Sequence, residues 1–139
     1  MVCMDWEFLE KVETLDEALS FVRADQRTLS AWLMDYIDSR DIKRGIAIKK
    51  SLLNQTFAYQ IFAGSRRPSR DKLIQLAFGL DMGPKDASRL LEHGGVNALL
   101  PTCRRDVIIA FCLEKGLDIG ACEDMLWAEG EKTLTQPDV

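Results

Sequence analysis

The sequence predicts an all-α fold, and three features of the chain support this prediction. Apolar residues recur every three or four positions along most of the chain, which is the spacing of one face of an α helix. No run of alternating apolar and polar residues indicates a strand. Glycine, proline and helix-capping residues divide the periodic stretches into about eight short helices with brief connections.

The composition is that of a folded protein rather than a disordered one. The chain has 139 residues, of which 47% are hydrophobic, and this suits one domain with helical additions. Its longest apolar runs are much shorter than the roughly 18 to 20 residues that span a bilayer. The first ten residues are acidic and lack the basic start of a secretory signal, so we expect a cytoplasmic protein without membrane contact.

Residues 1–27 are expected to form an acidic helical segment. Apolar residues have helical spacing over residues 5–22, and Thr14 followed by Glu17 predicts a cap that divides this stretch in two. Residues 24–27 are expected to be a connection.

Residues 28–95 are expected to form the main domain. Asn54 and Ser69 are predicted N-caps, Gly64 is predicted to end a helix, and Pro84 suits a first helical position. The predicted helices cover residues 28–39, 44–51, 55–62, 70–80 and 85–93.

Residues 96–130 are expected to form a helical hairpin. Thr102 is predicted to cap a helix over residues 103–115, and Asp118 a last helix that ends near residue 129. The predicted core face of the first helix carries Val107, Ile108, Phe111 and Cys112. The apolar faces of the hairpin either complete the core or form a dimer surface, and both alternatives stay open at this point. Residues 131–139 are expected to be a flexible tail.

Charge is distributed unevenly along the chain. The net charge is −4, yet residues 40–72 carry nine basic side chains against two acidic ones, and the segments on either side are acidic. A local basic region is typical of phosphate binding, although such clusters also occur as ordinary solvated surfaces.

The central pair of short helices is the most informative feature. Helices at 44–51 and 55–62 are separated by a tight turn, as in a helix-turn-helix, whose second helix fits the major groove. Gln55 and Thr56 begin that second helix, and both residue types hydrogen-bond to base edges.

The residues that follow carry a family resemblance. Tyr59 to Ser69 has the sequence YQIFAGSRRPS and continues into Leu73, Leu76 and Ala77. This string resembles the Cro/phage-repressor (XRE-type, lambda repressor-like) helix-turn-helix family, in which a recognition helix ends in Ile-Phe-x-Gly and a basic residue, Pro-Ser and a Leu-x-x-Leu-Ala helix follow. The resemblance is strongest over residues 59–77 and extends to about residues 29–81.

The resemblance implies a sequence-specific transcriptional regulator that binds double-stranded DNA, as a homodimer. The matching base-contact positions are Gln55, Thr56 and Tyr59. The matching positions for contact with the DNA backbone are Lys43, Arg44, Arg66, Arg67 and Arg70.

Two positions depart from the family pattern and favour an alternative. Ile48 stands where the family has a small residue, and Leu52 stands where the family has a turn glycine. Phe57 and Tyr59 also make the recognition helix unusually aromatic. The alternative is a protein–protein interaction module that keeps the helical scaffold but has lost DNA binding.

The sequence offers little support for an enzyme. His93 is the only histidine, and none of the four cysteines forms a C-x-x-C pair, so no common catalytic dyad or metal-ligand set can be assembled. The chain also lacks a glycine-rich phosphate loop. We therefore expect no catalysis, no metal and no cofactor, and we expect the cysteines to serve packing.

Overall fold

The computed structural model describes residues 6–19 and 28–135, and all regular structure within these ranges is helical, as the sequence predicts. A short 3-10 helix, Trp6–Lys11, comes first. The α helices are α1 (Leu15–Leu19), α2 (Leu29–Ser39), α3 (Arg44–Ser51), α4 (Gln55–Ala63), α5 (Arg70–Gly79), α6 (Pro84–His93), α7 (Arg104–Glu114) and α8 (Ile119–Ala128). The predicted connection at 24–27 and residues 136–139 of the predicted tail lie outside the described residues.

Most of the predicted helix boundaries are confirmed by their caps. The Thr14 hydroxyl accepts a hydrogen bond from the Glu17 amide at 3.1 Å, where the N-terminal stretch was expected to divide. Asn54 accepts from the Phe57 amide at 3.0 Å, and Ser69 caps α5 in the same way. These side chains satisfy amides that the first turn of a helix leaves without an intrahelical partner.

Helices α3 and α5 approach each other closely at Gly79. A Cβ atom at Gly79 would collide with the Ala47 carbonyl oxygen and would lie 2.8 Å from the Cβ of Ser51. The Gln75 amide nitrogen donates to the Ser51 carbonyl at 3.1 Å, and both residues are buried. The absence of a side chain at Gly79 therefore permits this close approach of α3 to α5.

Helix α4 packs on α2 through the face that the sequence predicts. Ala58, Ile61 and Phe62 are all buried. The Ser30 hydroxyl donates to the Phe62 carbonyl at 2.5 Å, which holds the end of α4 against α2. The opposite face of α4 is thereby directed outward.

Helices α7 and α8 complete the core. Ile109, Cys112, Ile119 and Leu126 are buried in the same hydrophobic cluster as the residues of α2 to α6. The buried face of this hairpin therefore packs into the core.

The predicted core face of α7 is rotated in part: Cys112 is buried and Ile108 packs against the core as predicted, but Val107 and Phe111 do not. Val107 and Phe111 are 47% and 48% exposed, whereas Asp106 is buried. The helix also begins one residue later than predicted, after Cys103 rather than Thr102. The physical cause is an ion pair that turns Asp106 inward.

That ion pair joins α5 to α7. The Arg70 guanidinium donates to both carboxylate oxygens of Asp106, at 2.9 and 2.8 Å, and to the carbonyls of Asn97 and Ala98. Burial by itself would raise the pKa of the Asp106 carboxyl, but the hydrogen bonds from Arg70 and from the Leu100 amide outweigh it and hold the pKa below its usual range.

Because the pKa of Asp106 is lowered in the folded protein, the free energy of unfolding is expected to depend on pH. A carboxyl whose pKa is lower in the folded state stabilises the protein above its unfolded-state pKa of about 3.9, and this contribution is lost as the pH falls through the folded-state value. We expect the difference in unfolding free energy between the wild type and Asp106→Asn to be largest near pH 7 and to shrink below pH about 4. Urea unfolding of both proteins from pH 7 to pH 2.5 measures it, and a difference independent of pH would contradict the assignment.

Residues 131–135 pack against the hairpin and do not form the flexible tail that the sequence predicts. The Leu134 amide donates to Glu123 at 2.6 Å, and the Leu134 side chain is buried. Arg105 donates to the Lys132 carbonyl at 2.8 Å while its guanidinium also binds Asp71 of α5. These contacts attach the segment to both α7 and α8.

The cysteines of the hairpin serve packing, in agreement with the sequence analysis. Cys112 and Cys122 are fully buried, and burial raises the pKa of both thiols, which keeps them protonated and unreactive. Cys103 is half-buried, and Cys3 lies outside the described residues. Across residues 6–19 and 28–135, no three His, Cys, Asp or Glu side chains gather in a way that could hold a metal ion.

Candidate nucleic-acid interface

The outward face of α4 carries the three predicted base-contact residues. Gln55 and Thr56 are exposed in the first turn, and Tyr59 is half-buried at one edge of the face. Residues three and four positions apart lie on the same side of a helix, so Tyr59 follows Gln55 and Thr56 along this face. The face also includes Gln60, which lies at the opposite edge.

Arg44 borders the Tyr59 edge of α4. Its guanidinium carbon lies 5.0 Å from the centroid of the Tyr59 ring and 5.9 Å from that of Phe62, which is the range of a cation–π contact. Lys43 precedes it as the exposed N-cap residue of α3 and makes no side-chain capping bond. The beginning of α3 therefore brings the positive charge of Arg44 beside α4, with Lys43 next to it in the chain.

Arg66 borders the other edge of α4. Its Nε atom donates to the Gln60 side-chain oxygen at 2.7 Å, and its guanidinium carbon lies 5.7 Å from the centroid of the Phe57 ring. Arg67 follows it in the same exposed loop. The polar face of α4 thus lies between Arg44 and Arg66, and the exposed residues Lys43 and Arg67 are their neighbours in the chain.

The two departures from the family pattern are accommodated differently. Ile48 is buried in the core. Leu52, in the turn between α3 and α4, has φ 59° and ψ 17°, the left-handed conformation in which glycine is favoured, and its side chain is 63% exposed. The turn therefore has the backbone conformation that glycine favours, but with leucine in its place.

Other basic residues of the 40–72 segment are directed elsewhere. The Arg70 guanidinium donates to the Asp106 carboxylate and to two backbone carbonyls, so its hydrogen-bonding groups are occupied within the protein. Lys50 pairs with Asp81 at 2.5 Å, and the Arg40 guanidinium lies 3.8 Å above the Tyr36 ring. Only some of the basic residues between positions 40 and 72 therefore lie beside α4 in the folded protein.

Gln60 lies on the same face of α4, although nothing in the sequence singles it out. Its side chain is oriented by Arg66, six residues further along and beyond the end of α4. A glutamine in the middle of a helix is unremarkable in sequence, and only the path of the loop after Gly64 brings the two side chains together.

The geometry defines an all-helical protein with a polar helix face between two basic edges. Comparison of the chain with protein-family models, with curated proteins and with solved structures found no match. Among the described helices, none combines the length and apolar character needed to cross a membrane.

Proposed function

We propose that the chain is a sequence-specific DNA-binding transcriptional regulator of the Cro/phage-repressor type. In this proposal α3 and α4 are the helix-turn-helix of a lambda repressor-like core, and α4 enters the major groove. The observation that carries the proposal is the outward face of α4, where Gln55, Thr56 and Tyr59 lie between Arg44 and Arg66.

The basic residues and the polar face have separate roles. Lys43, Arg44, Arg66 and Arg67 neutralise phosphates on both sides of the groove and supply affinity that depends on salt. Gln55, Thr56 and Tyr59 contact base edges and supply specificity. A homodimer then binds two half-sites about one helical turn, or 34 Å, apart.

Selection from a pool of random duplex DNA with the purified protein, near physiological salt, tests the proposal. We expect one enriched motif, and an inverted repeat if two copies bind together. A pool that stays random after repeated rounds would contradict sequence-specific binding.

Two single substitutions separate specificity from affinity. We expect Gln55→Ala to change the preferred base at one position of the motif, at a cost of about 1–3 kcal/mol for the original sequence. We expect Arg67→Ala to weaken binding to selected and random duplexes alike and to lower the slope of log affinity against log salt by about one unit. Fluorescence anisotropy titrations at several salt concentrations measure both effects.

Lys85→Ala, in α6, is the control for Arg67→Ala because it removes an exposed positive charge outside the proposed interface. We expect its affinity and salt slope to match those of the wild type. Equal effects of Gln55→Ala on selected and random duplexes would contradict a base contact.

A protein–protein interaction module is the second candidate, and exposed apolar residues favour it. Ile46 on α3 is 57% exposed and Leu52 in the following turn is 63% exposed, next to the helix that would enter DNA. Exposed apolar residues that together form a contiguous patch are typical of a protein interface. If the DNA selection yields no motif, Ile46 and Leu52 are the first positions to substitute in a search for a protein partner.

A further inference from the structure

The exposed face of α7 carries a regularly spaced row of side chains that do not pack into the core. Arg104, Val107, Phe111 and Glu114 follow one another at spacings of three, four and three residues, and all four are exposed. This is the spacing of the seam along which one helix packs on another. Val107 and Phe111 form its apolar centre, each about half exposed.

The order of side chains along this face of α7 is self-complementary when a second copy of the helix runs antiparallel to it. If a second α7 packs antiparallel, with its midpoint at Ile109, Val107 meets the partner's Phe111 and Arg104 meets the partner's Glu114. Two-fold symmetry then repeats both contacts, so that a basic residue faces an acidic one at each end of an apolar centre. A self-complementary surface of this kind is what an isologous dimer requires.

We propose that the chain forms a homodimer through antiparallel packing of α7 against α7 of a second copy. The proposal names the interface of the dimer that the proposed function includes, but the interface itself does not involve DNA. Self-association and DNA binding can therefore be tested, and can fail, separately.

The geometry predicts a weak dimer. A helix of 11 residues is about 16 Å long, which gives an interface below the standard size, and such interfaces belong to weak or transient complexes. Arg104 already contacts Glu129 at 2.8 Å, but both side chains are more than half exposed, so sharing Arg104 with a second carboxylate costs little. We expect a dissociation constant on the order of 10 to 1,000 µM without DNA.

Sedimentation equilibrium of the full chain from 5 µM to 1 mM, without DNA, tests the apolar centre. We expect the wild type to dimerise in this range and Phe111→Asp to remain monomeric. Leu19→Asp is the matched control, since it places the same charge on an apolar residue of similar exposure (55%) in α1, outside every proposed interface, and we expect it to dimerise as the wild type does. Circular dichroism checks that each variant is folded.

Charge reversal tests the antiparallel register. Glu114→Arg places arginine opposite the partner's Arg104 and is expected to weaken the dimer on the order of tenfold at low salt. The double variant Arg104→Glu with Glu114→Arg restores opposite charges and is expected to restore most of the affinity. Both are made in a Glu129→Gln background, so that the contact between Arg104 and Glu129 does not enter the comparison.

Two results would overturn the proposal. One is a wild-type chain that is monomeric up to 1 mM. The other is a dimer unaffected by Phe111→Asp or by Glu114→Arg. Neither would bear on DNA binding, because affinity for a duplex with a single half-site is measured independently of the dimer.

Discussion

Replacing Arg70 with alanine is expected to lower the free energy of unfolding by about 3–5 kcal/mol, because it leaves the Asp106 carboxylate buried without its counter-charge. The Asp106 side chain is 3% exposed, and Arg70 supplies two of its hydrogen bonds. The measurement is urea or thermal unfolding at pH 7, followed by circular dichroism.

Arg104→Ala is the matched control for Arg70→Ala. It also removes an arginine from an ion pair with a carboxylate, but the Arg104–Glu129 pair is more than half exposed, so we expect a loss below about 1 kcal/mol. Equal losses for the two variants would contradict the structural role of Arg70. So would an Arg70→Ala protein of normal stability that binds DNA poorly, because that result would return Arg70 to the phosphate contacts that the sequence predicts.

Replacing Gly79 with alanine is expected to lower the free energy of unfolding by about 3 kcal/mol, near the upper end of the usual cost of overpacking. The added methyl group meets the Ala47 carbonyl, a backbone group that can move only together with α3. Since α3 also positions Arg44 beside α4, we expect any folded fraction of this variant to bind DNA more weakly. Unfolding curves and anisotropy titrations check the two effects.

Gly120→Ala is the control for Gly79→Ala. Gly120 is also helical, but the nearest atom to an added Cβ is the Asp118 carboxylate oxygen at 3.4 Å, an ordinary contact. We expect this variant to be as stable as the wild type or slightly more stable, because alanine favours helix more than glycine does. A similar loss at both glycines would show that the close approach of α3 and α5 is not the cause.

Local interactions explain why much of the fold could be predicted from the sequence. Asn54 caps α4 through an amide three residues away, and the buried face of α4 follows from the spacing of Ala58, Ile61 and Phe62. Such features depend on neighbours within one helical turn, which the sequence shows directly. The all-helical class and the exposed position of Gln55 and Thr56 were predictable for the same reason.

Contacts between distant residues explain what the sequence could not predict. The rotation of α7 follows from the pairing of Arg70 with Asp106, 36 residues apart, and of Asp71 with Arg105, 34 residues apart. A helix with apolar residues on more than one side, such as α7, has no unique inward face until those partners are known. The same long-range contacts occupy the guanidinium of Arg70, which the family resemblance places at the DNA backbone.

The attachment of residues 131–135 has a consequence for hydrogen exchange and for the choice of expression boundaries. The amides of Leu134 and Thr135 donate to Glu123 of α8, so their exchange with deuterated water requires release of the segment from that helix. A chain shortened at residue 130 would lose the buried Leu134 and uncover the apolar surface beneath it. Fragments meant to preserve the native hairpin should therefore extend at least to residue 135.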